Sequence, residues 1–123
     1  MNRSPDLSEL AVFRPEYLLE ITNNDRKMFE RFVEVFLKNC PEMVKRISEG
    51  HRTGNLEELR RAAHTLCGSA GSFGADRLRV VAGELDAVCR EDTLNQVPAL
   101  VDRVLEEWRL LREEIDRVLS EPG

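Results

Sequence analysis

Apolar residues recur at intervals of three and four along most of the chain, the spacing that lines side chains along one face of an α-helix. The longest stripe is Met28, Phe29, Phe32, Val33, Phe36, Leu37, Cys40, Val44 and Ile47, in a segment from about Asp25 to His51. Pro41 lies inside it. Because the stripe keeps its phase across the proline, the pattern predicts a kink rather than two unrelated helices. A second stripe is Leu59, Ala63, Leu66, Ala70 and Phe73. A third, Leu78, Val81, Leu85 and Val88, predicts a helix from Ala75 or Asp76 to about Arg90. The last runs through Val97, Val101, Val104, Trp108, Leu111, Ile115 and Val118 to about Leu119, starting between Thr93 and Gln96 with Pro98 in its first turn.

Polar and glycine residues punctuate these segments. Asn23-Asn24-Asp25 offers a helix start. Thr53-Gly54-Asn55 breaks the chain, and Asn55 with Glu58 three residues later makes a capping-box-like start for the second long helix. Gly74 ends that helix, and Glu91-Asp92-Thr93 is a turn. Ahead of the long helices, Phe13 to Ile21 holds a short one, with Pro15 in its first turn and Leu18, Leu19 and Ile21 as anchors. Residues 1–12 read as a flexible N-terminal lead-in and the closing Ser-Glu-Pro-Gly as a frayed tail. The expected fold is all-α: an antiparallel up-down four-helix bundle with a short additional N-terminal helix, in one domain over residues 13–120. A chain of 123 residues suffices for one core and is too short for two.

Composition narrows the function classes. A third of the residues are charged and 41% are hydrophobic, ordinary for a soluble helical protein. No apolar run is long enough to cross a bilayer and the amino terminus does not read as a signal peptide, so a cytoplasmic location is expected. A net charge of −5 without a basic stripe argues against a nucleic-acid partner. The stripes are accounted for within one bundle, so a monomer is expected. Cys40, Cys67 and Cys89 form neither a C-x-x-C pair nor a zinc pattern, and Cys40 and Cys89 read as small packing residues. His51, near a helix end, reads as a complement to the helix dipole.

His64 is different. It falls well away from the buried stripe of its helix, with Arg60, Arg61, Cys67 and Gly68 one turn away and Gly71 two turns along. Each glycine inside a helix costs about 1 kcal/mol relative to alanine. Gly68 and Gly71 share the histidine's face, where their missing side chains clear space for another protein to approach the ring.

The run His64-Thr65-Leu66-Cys67-Gly68-Ser69-Ala70, followed by Phe73-Gly74-Ala75, resembles the signature of histidine-containing phosphotransfer (HPt) domains, roughly H-x-L-K-G-S-[AS]-x-x-[apolar]-G-A. Together with the helix before it and the two after it, the resemblance covers most of residues 13–119. It implies that His64 carries a phosphoryl group between receiver-domain aspartates in a two-component phosphorelay, with response-regulator receiver domains and a hybrid histidine kinase as partners. It also implies no cofactor or metal of its own, since the receiver's acidic pocket supplies the Mg²⁺. The family lysine three residues after the histidine is Cys67 here, which leaves open what supplies charge to the phosphoryl group. Arg60 or Arg61 is available, Arg60 being the better placed.

A carrier imidazole needs its second nitrogen held by an acceptor. Family members often carry a carboxylate or amide at the separation of Asp86. With the helices antiparallel about Phe73-Gly74-Ala75, residues 64 and 86 each lie about eleven positions from the turn, at similar height. Asp86 is therefore either that acceptor or a solvated surface acid, with Glu84 and Glu57 as further candidates. The docking surface is expected on the face of Arg60, Arg61, His64, Cys67, Gly68 and Gly71.

Two other readings stand beside the relay. One is an adaptor bundle that binds receivers without carrying phosphate. The other, the helical hairpin of a sensor kinase, is disfavoured by Thr65 and by the lack of proline from 56 to 97. No G-x-x-x-x-G-K-[ST] loop or kinase domain is recognisable, so the chain reads as a relay intermediate rather than an enzyme. A metal shared by His64 and Cys67, or a cysteine–histidine nucleophile pair, lacks the remaining groups such sites require. The starting methionine and the length favour a free-standing shuttle over a segment of a larger kinase.

Overall fold

The breaks in the apolar pattern set the helix boundaries. The computed structural model of the protein describes residues 6–91 and 93–121. In it α1 spans Pro15–Ile21, α2 Arg26–Thr53, α3 Leu56–Phe73, α4 Asp76–Arg90 and α5 Val97–Ser120, with a 3₁₀ turn at Leu94–Gln96 leading into α5. No strand occurs among the described residues. Asn23 and Asn24 adopt left-handed backbone angles (φ 54° and 58°), which asparagine tolerates better than most residues. The reversal places Asp25 at the start of α2, where its Oδ1 accepts from the Lys27 and Met28 amides at 3.0 and 3.3 Å. Pro41 is carried inside α2, which continues unbroken on both sides of it.

Asn55 caps α3, its Oδ1 accepting from the Glu58 amide at 3.2 Å. The reciprocal half of the expected capping box is not made. The Asn55 amide is already satisfied by the Gly50 carbonyl at 2.8 Å, and the Glu58 carboxylate turns to Arg46 at 3.6 Å instead. Gly74 ends α3 with φ 86°.

The four long helices each pack on the next, and α5 closes back on α2, giving the antiparallel bundle with α1 as the additional helix. Leu59, Leu66, Leu78, Leu85, Leu111 and Ile115 are fully enclosed. Burial of such surface, at about 25 cal/mol per Å², is the main favourable term holding the bundle. The expected stripes of α3, α4 and α5 all face inward.

The α2 stripe is narrower than its sequence suggests. Phe29, Val33, Phe36, Cys40, Val44 and Ile47 are buried, whereas Met28 and Phe32 are 48% and 43% exposed. Each precedes a buried residue by one position and so lies about 100° round the helix, beyond what α3 and α5 can cover. Ile21, expected as an anchor of α1, is also exposed. Thr22 takes the inward place there, its hydroxyl donating to the Leu18 carbonyl at 2.9 Å.

Residues 1–5, Asp92 and residues 122–123 lie outside the described residues, and with them parts of the expected lead-in, turn and tail. Within residues 6–12 of the lead-in, Asp6, Ser8 and Glu9 are exposed, and the apolar side chains turn to the bundle. Leu7 is buried, Leu10 and Val12 rest on the core, and the Ala11 carbonyl accepts from the Arg77 amide at 3.2 Å. The apolar residues of this segment find a surface at the end of the bundle. Phe13 stacks on Phe73 with ring centroids 4.9 Å apart, and Phe73 stacks on Phe36 at 3.9 Å.

Two glycines with left-handed angles separate backbone strain from crowding. A Cβ on Gly54 (φ 73°) meets open space, whereas one on Gly74 meets Tyr17 Cδ2 at 3.1 Å and the Arg14 carbonyl oxygen at 3.2 Å. Urea denaturation is expected to show a loss of about 1 kcal/mol for Gly54→Ala and about 2–3 kcal/mol for Gly74→Ala. Equal losses would contradict the seating of α1's entry on the α3–α4 turn.

Candidate functional site

His64 lies on the outer face of α3, its side chain 66% exposed. α4 runs back alongside, and Asp86 reaches across so that its Oδ2 lies 3.0 Å from His64 Nδ1. Of the three acids weighed from the sequence, Asp86 is the one that meets this nitrogen. Glu57 is engaged by Arg60 and Arg61 at 3.1 and 3.0 Å. With Nδ1 on Asp86, the other ring nitrogen, Nε2, is the one available to solvent.

The Asp86 carboxylate is itself held. Its other oxygen accepts from Arg90 Nε at 2.9 Å, and Arg60 Nη1 lies 3.7 Å from that same oxygen. Burial alone pushes the Asp86 carboxyl upward. The hydrogen bonds from Arg90 and His64, with the charges behind them, outweigh it and hold the group below the usual carboxylate range. Asp86 is thus an ionised, fixed acceptor beside an exposed ring.

The motif's small residues divide into two kinds. Gly68 is exposed, and a Cβ there meets open space. Gly71 is not part of an open shelf, contrary to expectation: Arg79 from α4 lies across it, with Cδ 3.0 Å from where a Cβ would stand. Cys67 is half-buried and leans toward α4, Sγ lying 3.3 Å from the Cβ position of Gly83. Burial raises its pKa, Asp86 adds to the rise, and Arg79 pulls the other way. Such a thiol is a poor nucleophile. Burial likewise pushes the Cys40 thiol up to about 12. Among the described residues no group of three or more His, Cys, Asp or Glu side chains is arranged to hold a metal ion.

Several residues at the site escaped the sequence reading. Arg90 carries a usable signal, since it stands one turn after Asp86 on the same helix. Gly83 and Arg79 carry none until α3 and α4 are placed side by side. On α2, Met28, Phe32 and Val35 form an exposed apolar stripe. Phe32 and Val35 line an open groove of about 430 Å³ that reaches Gly68 and Ser72 of α3. The signal for this stripe was the excess of apolar positions on α2, more than one buried face can hold.

Fold and site together define a helical bundle that presents an exposed imidazole oriented by a carboxylate from the next helix. The model of the Hpt domain family matches residues 31–121, and the chain belongs to that family. Its curated relatives include the phosphorelay protein LuxU of Vibrio vulnificus strains YJ016 and CMCP6. Each is 33% identical over a 76-residue alignment, with 58% of this chain and 66% of the relative covered. The crystal structure of histidine-containing phosphotransfer protein B (HptB) from Pseudomonas aeruginosa PAO1 shares the fold, with a TM-score of 0.78. It is 20% identical, covering 86% of this chain and 92% of that one.

The held carboxylate has a pH signature. Because the folded Asp86 pKa is lowered, its contribution to stability is complete above the ordinary value of about 4. It is lost as pH falls through the folded value. Asp86→Asn is expected to cost about 1–2 kcal/mol in urea denaturation at pH 7. The gap to the unsubstituted protein should close as the pH drops below about 4. A gap that persists at low pH would mean the carboxylate's charge is not what the site uses.

Proposed function

We infer that this chain is a phosphorelay intermediate that takes a phosphoryl group onto His64 from an aspartyl phosphate of one receiver domain and passes it to the aspartate of another. The observation that carries this reading is the exposed ring held through Nδ1, which leaves Nε2 to the partner. The Nε2 lone pair attacks phosphorus, the P–O bond breaks, and its electron pair stays with the partner's carboxylate. Nδ1 keeps its proton, donated to Asp86, and the positive charge that develops on the ring is balanced by that carboxylate. Transfer onward reverses these steps.

The reading needs no nucleotide site on this chain, and the Mg²⁺ that neutralises the phosphoryl oxygens comes with the receiver. Arg60 stands one turn before the histidine, shared between Glu57 and Asp86, and adds positive field on that side of the ring. The receiver approaches over Gly68, with Arg61 on one flank and the apolar stripe of Met28, Phe32 and Val35 on the other. A monomeric shuttle in the cytoplasm, fed by a hybrid histidine kinase, fits this arrangement. No described helix is long and apolar enough to cross a membrane.

Incubation with a phosphorylated receiver domain tests the reading. An acid-labile, base-stable phosphate is expected on the protein and lost in His64→Ala, while Gly68→Gln slows labelling by bulk and keeps the wild-type unfolding transition. Receiver binding without any labelling would replace the carrier by an adaptor.

A further inference from the structure

Positions 60, 64, 67 and 71 form one seam along α3, spaced by four and three, and positions 90, 86, 83 and 79 form the facing seam of α4. At the upper end Arg60 and Arg90 converge on Asp86 Oδ1. One rung down, His64 meets Asp86. The two rungs nearer the Gly74 turn join a glycine on one helix to a side chain from the other, in opposite senses. Arg79 lies over Gly71, and Cys67 leans into the space above Gly83. Apart from its two chain neighbours and the surrounding helix backbone, Cys67 Sγ is, among the described residues, the one heavy atom within 4 Å of the Gly83 Cβ position.

A glycine inside α4 gives up about 1 kcal/mol of helix propensity relative to alanine. Gly83 is half-buried, and the place a Cβ would take there is bordered by Cys67 Sγ at 3.3 Å, unlike the open space at Gly68. What the missing side chain permits is a close approach of α4 to α3 one turn from the His64–Asp86 contact. A hydrogen bond of 3.0 Å between two short side chains on different helices tolerates little change in that approach.

We propose that Gly83 is a positioning residue: by admitting Cys67 Sγ into its notch, it holds α4 where Asp86 can keep His64 Nδ1 oriented. The pair also accounts for the thiol at position 67. A side chain drawn toward the neighbouring helix serves the spacing of the seam and does not supply charge to the docking face. The functional consequence rests on the carrier reading of His64, but the geometric claim does not.

The test uses Gly83→Ala, Cys67→Ala and the double variant, all on the full chain. Alanine raises helix propensity, so Gly83→Ala is expected to fold. Two readouts are taken: the ¹⁵N shifts of the His64 ring nitrogens in the free protein, and the rate of labelling by phosphoramidate. That donor needs no docking: its P–N bond breaks as Nε2–P forms, and ammonia leaves. Gly83→Ala is expected to shift the ring signature toward that of Asp86→Asn and to slow labelling about threefold to tenfold. The double variant, which removes the sulfur that a Cβ at 3.3 Å would crowd, is expected to restore both. An unchanged ring signature in Gly83→Ala, or a double variant as impaired as the single, overturns the proposal. Should the unsubstituted protein take no phosphoryl group from phosphoramidate, the carrier reading fails and the ring signature alone decides the positioning role.

Discussion

Everything at the site depends on α3 and α4 lying close enough, and in the right register, for a carboxylate on one to hold a ring nitrogen on the other. The 3.0 Å contact between Asp86 and His64 Nδ1 is easily lost. Both side chains are short, neither backbone can follow the other, and one residue of slip carries a helical side chain about 100° round its axis. The contact exists because both helices leave the same turn at Gly74 and retrace equal lengths. Register is therefore fixed at the turn, some sixteen Å of helix rise below the site by a rise of about 1.5 Å per residue.

That dependence explains the weight of structure around the Gly74 turn. The Arg14 amide donates to the Gly74 carbonyl at 3.0 Å, and the Arg14 guanidinium pairs with Asp76 at 2.8 Å. The first turn of α4 has no side-chain cap of its own, and the Ala11 carbonyl satisfies the Arg77 amide in its place. Phe73, at the end of α3, is held in the stack between Phe13 and Phe36, and Phe36 tilts against Trp108 of α5 with centroids 6.0 Å apart. Arg77, the second residue of α4, reaches the buried Glu107 of α5 at 2.8 Å. The segment before α1 thus acts as a strap over the point where the register of α3 and α4 is set, remote from His64 and mechanically connected to it.

The bundle was legible in the sequence because helix periodicity and buried faces are local properties. Each stripe names its own inward side, and Asn55, Gly74 and Pro98 mark boundaries by backbone chemistry alone. The exposed place of His64 was legible for the same reason. Its partner was legible only as one of several acids, since choosing among Asp86, Glu84 and Glu57 requires the position of a second helix. The roles of Gly71 and Gly83 lay further out of reach. From α3 alone both motif glycines look like cleared space, and only the arrival of Arg79 separates Gly71 from Gly68. The buried face of α2 was overread because apolar identity does not record whether another helix remains to cover it. Among the described residues no helix covers Met28 and Phe32, which stay 48% and 43% exposed.

Charge near the ring runs against the charge of the chain. The protein carries −5 overall, yet around the His64–Asp86 contact Arg60 and Arg90 close on Asp86, and Arg61 stands one turn before the ring paired with Glu57. On the carrier reading proposed above, the net negative charge would disfavour an anionic partner at long range, while the local guanidinium groups would draw a phosphoryl dianion the last few ångströms. The two effects act at different ranges: near 0.15 M salt the screening length is about 8 Å, so the distant acids fade before the nearby arginines do. Much of that positive charge is already committed to Asp86 and Glu57, which keeps it fixed in place rather than free on flexible stems. On that same carrier reading, an oriented ring whose neighbouring cations are already paired loses little freedom when a phosphoryl group arrives.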